Sequence, residues 1–226
     1  MLENILHYER DLFFSINGTH SPIADNFMWI YSGYFIWAPI LLLFIWLLVR
    51  NQKRETWLPV LIAITTLFIL CNIFSGLICK PLFTRFRPTH HPDFMEQVRS
   101  LNGYVGHLYG FISGHSTSAF GFATLTALLF KNRYYTLLIS LWALLMGYSR
   151  IYLGVHFITD VIAGATSGII IGLLVFYGYK SYIKKRESAI YTPPYSNETT
   201  KQITLLIGGY ILLFGLLSGQ LVHFLS

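Results

Sequence analysis

Six stretches of this chain are each apolar enough, and four of them long enough, to cross a bilayer as a helix, which takes about 20 residues. They cover residues 33–49, 57–79, 111–130, 134–149, 156–179 and 203–225. The first and fourth are short and are expected to extend a few residues beyond these limits. The runs are continuous rather than alternating, which argues for helices over barrel strands. Charged residues make up 12% of the chain, about half of what a water-soluble domain carries. The expected fold is therefore an all-α integral membrane protein, a six-transmembrane helix bundle. It forms one membrane-embedded domain over residues 1–226, with core spans within 33–179 and an additional C-terminal span at 203–225.

Residues 1–30 differ. Leu2, Ile5, Leu6, Leu12 and Phe13 alternate with Glu3, Glu9, Arg10 and Asp11. The mixture predicts a helix lying in the interface, a turn at Asn17–Pro22 and a second short helix. No apolar core followed by a small-residue cleavage site is present, so no removable signal peptide is expected.

Lysines and arginines set the expected orientation. Ten of them fall in the loops after the first, third and fifth spans, and six fall on the other side. The richer side is expected to be cytoplasmic, which turns residues 80–113 outward. The net charge of +6 then reflects topology and contact with anionic lipid rather than nucleic acid. Cys71 and Cys79 share one predicted helix and read as small buried hydrophobes. Gly164, Gly168 and Gly172 recur every fourth residue and predict a face of close helix packing.

Against this apolar background, ionisable residues are costly and mark function. Three clusters fall at the outward ends of spans. Lys80 and Arg87 bracket the first; seven residues apart, they would share a face if the helix continued. Ser113, Gly114 and His115 open the third span, where backbone N–H groups and the helix dipole favour an anion. Arg150 ends the fourth span, and His156 and Asp160, four apart, open the fifth and can touch. Asp160 is the one acid within the six runs. Three cations converging on a helix N-terminus suit a phosphate dianion. Two histidines allow one to attack phosphorus and the other to protonate the leaving oxygen.

The order Lys80, six residues, Arg87-Pro88; then Ser113-Gly114-His115; then Ser149-Arg150, five residues, His156, three residues, Asp160 resembles the type 2 phosphatidic acid phosphatase superfamily, which also contains the vanadium haloperoxidases. Ile112 stands where that family has proline. The resemblance implies that His156 is the nucleophile and forms a phosphohistidine, that Asp160 orients it, and that His115 is the general acid. It implies phosphate binding by Lys80, Arg87 and Arg150, with Ser113 and the Gly114 N–H assisting, and a supporting role for Arg85. No metal or other cofactor is expected, because three cations supply the charge stabilisation. A haloperoxidase fits least, since membrane spans serve nothing in halide oxidation.

The implied function is metal-independent hydrolysis of a membrane lipid phosphate at the periplasmic side of a bacterial inner membrane, with lipid A phosphate or undecaprenyl diphosphate favoured. The expected partners are that lipid and the bilayer, with no nucleic acid and no obligatory protein partner. A phosphotransferase passing the phosphate to another hydroxyl, or a non-enzymatic binder or transporter of phospholipid headgroups, are the alternatives; the second has no need of the His156–Asp160 pair. His90 and His91, near Asp93 and Glu96, read as a solvated loop rather than metal ligands. Tyr104, Tyr109 and Phe111 are expected to border the site.

Overall fold

The computed structural model describes residues 2–187 and 192–225; residues 188–191, between the fifth and sixth apolar runs, lie outside that description. Among the described residues there is no strand, only an isolated bridge between Phe86 and Tyr109. The helices are α1 (Leu2–Gly18), α2 (Pro22–Ser32), α3 (Ala38–Val49), α4 (Arg54–Asn72), α5 (Lys80–Phe83), α6 (Gly114–Phe130), α7 (Arg133–Tyr152), α8 (Ile158–Glu187) and α9 (Asn197–Leu225). A π-helical segment, Ile73–Cys79, joins α4 to α5, so that Arg54–Phe83 forms one rod of 30 residues.

Among the described residues, three helical rods are long and apolar enough to cross a membrane: Arg54–Phe83, Ile158–Arg186 and Asn197–Gln220. A fourth candidate is the pair Pro22–Ser32 and Phe35–Val49, bent by 72°. The first expected span is thus not a straight helix. α2 stops at Ser32, a short 3₁₀ turn covers Phe35–Trp37, and α3 follows with Pro39 near its start. Proline is tolerated in a helix's first turn because its missing N–H has no partner there anyway. Large apolar side chains such as Leu77, Leu205 and Leu216 are more than 70% exposed. An exposed apolar belt of this kind is stable only against lipid, and the chain is a multi-pass membrane protein.

α6 is the central helix and packs on α4, α7 and α8. Its seam with α8 is made by the predicted glycine stripe. A Cβ on Gly168 would lie 2.2 Å from the Thr117 carbonyl oxygen, and one on Gly172 would lie 2.8 Å from that of Gly121. Only hydrogen fits there, so the two backbones approach more closely than any side chain allows. The same seam brings the start of α6 to the start of α8, where the Ser113 N–H donates to the Asp160 carbonyl at 3.0 Å. α9 covers α2, α3 and α7.

The N-terminal segment is anchored, not loosely laid on the bundle. Phe13 packs in a buried cluster with Phe94, Ile151 and Phe157. Asn17, buried in the last turn of α1, donates to the carbonyls of Arg99 (2.9 Å) and Tyr152 (3.0 Å) and accepts from the Arg99 N–H (2.9 Å). Asp25 takes both Arg99 Nη atoms at 2.7 and 3.1 Å and the Tyr152 hydroxyl at 2.5 Å. The expected turn is present, with Ser21 capping α2 through the Ala24 N–H.

Candidate active site

The helix does not carry Lys80 and Arg87 on one face. It ends at Phe83, with Thr84 in the left-handed region at φ +43°, and Arg87 lies beyond the turn. The Phe86–Tyr109 bridge, with Arg87 N–H to Leu108 O at 3.0 Å and Gly110 N–H to Arg85 O at 2.8 Å, makes this segment extended. In extended backbone, residues two apart share a side. Arg85 and Arg87 therefore both face the α7–α8 loop, which a helical reading of the motif does not anticipate.

Arg87 is buried and donates from Nη1 to the Val155 carbonyl at 2.8 Å and to His156 Nε2 at 2.9 Å. A guanidinium has no lone pair to offer. Nε2 must therefore be the acceptor, and the ring hydrogen sits on Nδ1, facing Asp160 Oδ2 at 3.4 Å. His156 is not on a helix: α8 begins at Ile158, and His156 precedes it in the loop. Asp160 meets it across that first turn while its Oδ2 also accepts the Phe157 N–H at 3.0 Å. The predicted contact is thus made by loop and helix together.

Arg85 is the partner of Asp160. Its Nη1 donates to Asp160 Oδ1 at 2.8 Å and to the Thr159 hydroxyl at 2.7 Å, and its Nη2 pairs with the Glu9 carboxylate. Glu9 closes the network by accepting the Thr159 N–H at 2.8 Å through Oε2. Two buried carboxylates share one buried guanidinium, so each charge has an opposite partner. Residue-type reasoning placed Glu9 on the polar face of an interfacial helix. No local signal in the sequence tied Glu9 to this network.

Arg150 is buried at the end of α7. It donates to the Ser32 hydroxyl and, from Nη2, to the Tyr104 hydroxyl at 3.0 Å. Ser32 comes from the bend between α2 and α3 and was not singled out in the sequence; Tyr104 was. Lys80, Arg87 and Arg150 lie close enough to feel one another's charge. Burial and then Arg150 pull the Arg87 pKa down to about 10, which leaves it charged at neutral pH. His156 lies in the same field. Burial, then Arg87 and Arg150, hold its imidazole well below the usual histidine range.

Ser113 caps α6, but its buried hydroxyl is engaged inside the helix, accepting from Ser116 Oγ at 3.1 Å and the Ser116 N–H at 3.5 Å. Ile112 is buried, and α6 is capped without a proline there. Gly114 starts the helix against Ser75, whose Oγ would lie 3.2 Å from an added Cβ. His115 stacks obliquely on Tyr34, with ring centroids 4.8 Å apart, and its Nε2 is buried without a hydrogen-bond partner. It borders a cavity of about 400 Å³ that runs between α3, α4, α6 and α7, lined by Ser32, Phe44, Phe68, Ser118, Trp142 and neighbours.

The 90–96 loop is not simply solvated. His91 is buried and stacks on Phe94 at 4.1 Å, accepting the Asp93 N–H at 3.3 Å. Phe111 meets Phe83 edge-on at 4.8 Å, beside α5.

A buried imidazole with its lone pair aimed at a guanidinium, a carboxylate behind it and two further cations, all on a lipid-exposed helical bundle, define a membrane phosphatase. The chain belongs to the PAP2 superfamily, whose profile matches residues 56–184. It is 36% identical to the lipid A 4'-phosphatase of Porphyromonas gingivalis, over 100% of this chain and 97% of that protein. It is 31% identical to the undecaprenyl-diphosphatase BcrC of Bacillus subtilis, over 76% of this chain and 83% of that one. Among solved structures it resembles LpxE of Aquifex aeolicus, with a TM-score of 0.55 and 29% identity, covering 75% of this chain and 95% of that chain.

Proposed function

We propose that this chain hydrolyses a phosphate group from a membrane lipid, with lipid A phosphate first and undecaprenyl diphosphate second. The relative named for lipid A spans the whole chain, whereas the undecaprenyl-diphosphatase match covers 76% of it; this supports the order. The observation that carries the reading is the 2.9 Å contact between Arg87 Nη1 and His156 Nε2. A phosphate oxygen replacing that imidazole on the guanidinium brings phosphorus to the Nε2 lone pair.

In the proposed reaction, His156 Nε2 attacks phosphorus and forms the P–N bond as the P–O bond to the leaving group breaks. His115, taking up a proton as the entering phosphate dianion offsets the neighbouring cations, gives that proton to the departing oxygen. Asp160, held by Arg85, stabilises the positive charge that develops on the His156 ring. Water, deprotonated by His115, then attacks the phosphohistidine and releases phosphate. Lys80, Arg87 and Arg150 hold the equatorial oxygens, with the α6 N-terminus at Gly114 assisting. Ser113 serves the cap rather than the phosphate in this arrangement. The cavity beside His115 suits the apolar part of the substrate.

The proposed topology is one membrane-embedded domain of six spans: the bent α2–α3 pair, the Arg54–Phe83 rod, α6, α7, α8 and α9, with α1 interfacial. α6, at 17 residues, reaches about 25 Å at 1.5 Å per residue, near the lower limit for a span. The catalytic end is proposed to face the periplasm of a bacterial inner membrane. The loop cations support this: Arg50, Arg54, Lys131, Arg133 and Arg186 lie at helix ends remote from His156.

The test is phosphate release by purified protein, in detergent and EDTA, from lipid A, undecaprenyl diphosphate, phosphatidylglycerol phosphate and phosphatidic acid. Release from lipid A above the others supports the reading. Appearance of a phosphorylated acceptor without free phosphate would replace it with a transferase.

A further inference from the structure

A second groove, of about 790 Å³, lies between α4 and the last half of α8, with its mouth at the end of the molecule away from His156. From Asp160 to Arg186 along α8 is about 39 Å at 1.5 Å per residue, the full depth of a bilayer. This groove therefore opens to the leaflet opposite the catalytic pocket.

Its form follows from two sequence features. Pro59 sits inside α4 and has no N–H to give to the Glu55 carbonyl four residues back. Arg186 takes that role, its Nη2 donating to Glu55 O at 3.1 Å, and this holds a guanidinium at the mouth. Gly178 lies on the groove wall formed by α8, and a Cβ added there would meet nothing within 4 Å. The remaining wall is largely apolar, from Ile62 and Leu70 on α4 and Leu174 on α8.

The mouth carries Arg54, Arg186 and, as its acid, Glu55. From Arg186 to Leu174 is about 18 Å along the helix, close to half of the roughly 30 Å hydrocarbon layer. An open apolar trough one leaflet deep, ending at two guanidinium groups, matches one lipid with an anionic headgroup.

We propose that the α4–α8 groove binds one anionic glycerophospholipid, its phosphate at Arg54 and Arg186 and an acyl chain along Ile62, Leu70, Leu174 and Gly178. The site does not take part in the phosphatase reaction. It ties the start of the Arg54–Phe83 rod to the end of α8, and the other ends of that rod and of α8 carry Lys80 and Asp160.

Native mass spectrometry of the full chain, titrated in a neutral detergent with dioleoyl phosphatidylglycerol or dioleoyl phosphatidylcholine, tests this. The wild type is expected to retain one phosphatidylglycerol in preference to phosphatidylcholine. Arg54→Gln should reduce that preference by about fivefold, as one cation near the headgroup implies. Gly178→Trp, whose side chain enters open space, should remove the bound lipid while phosphate release in detergent stays unchanged. Arg54 lies at the end of the rod remote from Lys80, so a change there reports on this groove and not on the catalytic pocket. Equal retention of the two lipids by the wild type, or a preference untouched by both substitutions, overturns the proposal.

Discussion

Glu9 and Arg85, 76 residues apart, form an ion pair with side chains only 6% and 1% exposed, and the same guanidinium holds Asp160 at 2.8 Å. The first helix thus reaches Asp160, the carboxylate behind the proposed nucleophile His156, through one residue. Removing one partner of a buried pair leaves the other uncompensated and costs about 3 kcal/mol or more. Glu9→Ala should lower the thermal unfolding midpoint by several degrees and reduce kcat; Glu9→Gln, which retains an acceptor, should do less. An unfolding midpoint unmoved in Glu9→Ala would show that the pair is not formed in the membrane.

The two histidines should separate by substrate. His156→Ala is expected to reduce turnover to background and to abolish labelling of the protein by a radioactive lipid phosphate, trapped by denaturation at alkaline pH, where a P–N bond survives. His115→Asn should slow lipid hydrolysis by about 10²–10⁴-fold, the usual worth of a general acid. With p-nitrophenyl phosphate, whose leaving group needs no proton, the His115→Asn deficit should shrink. An equal deficit on both substrates would remove His115 from the acid role.

The pH profile follows from the field around His156, which lies ahead of the α8 span. Its pKa is lowered by burial and by Arg87 and Arg150, and only the neutral ring attacks. The acidic limb of kcat/KM should therefore fall below pH 6.5, the ordinary histidine value. Arg87→Gln removes a repelling charge and should move that limb upward. The same sign applies to stability. The unfolded chain takes up this proton near pH 6.5 and the folded chain does not, so this contribution is complete above that pH and declines as pH falls. A limb at or above pH 6.5 in the wild type would contradict the assignment.

Gly168 tests the seam that joins the helix starts carrying His115 and Asp160. Its added Cβ would meet the Thr117 carbonyl at 2.2 Å, whereas one on Gly209 meets nothing within 4 Å. Gly168→Ala should destabilise the fold by about 1–3 kcal/mol and lower activity as Ser113 and Asp160 separate. Gly209→Ala should be near neutral. Comparable unfolding midpoints for the two variants would argue against backbone contact between α6 and α8.

The cavity beside His115 should govern tail-dependent affinity. Ser118 lines it, and Ser118→Phe is expected to raise KM for a long-chain lipid phosphate several-fold. Hydrolysis of p-nitrophenyl phosphate should be unaffected. Loss of both activities together would indicate misfolding or a different tail route.

The sequence alone determined the membrane class, most of the helices and the candidate groups for the reaction. Apolar runs have few stable alternatives in lipid, and each charge set among them is costly enough to signal a purpose. The spacing of Lys80, Arg87, His115, Arg150, His156 and Asp160 was therefore readable, and so was the glycine stripe, whose period matches a helix face. The tertiary structure alone decided how those groups meet. The extended Arg85–Arg87 segment, the bend that supplies Ser32 and Tyr34, the loop position of His156 and the burial of Glu9 all depend on partners far away in the chain. Local propensity is blind to such partners, because a buried charge takes the counter-ion that packing brings to it.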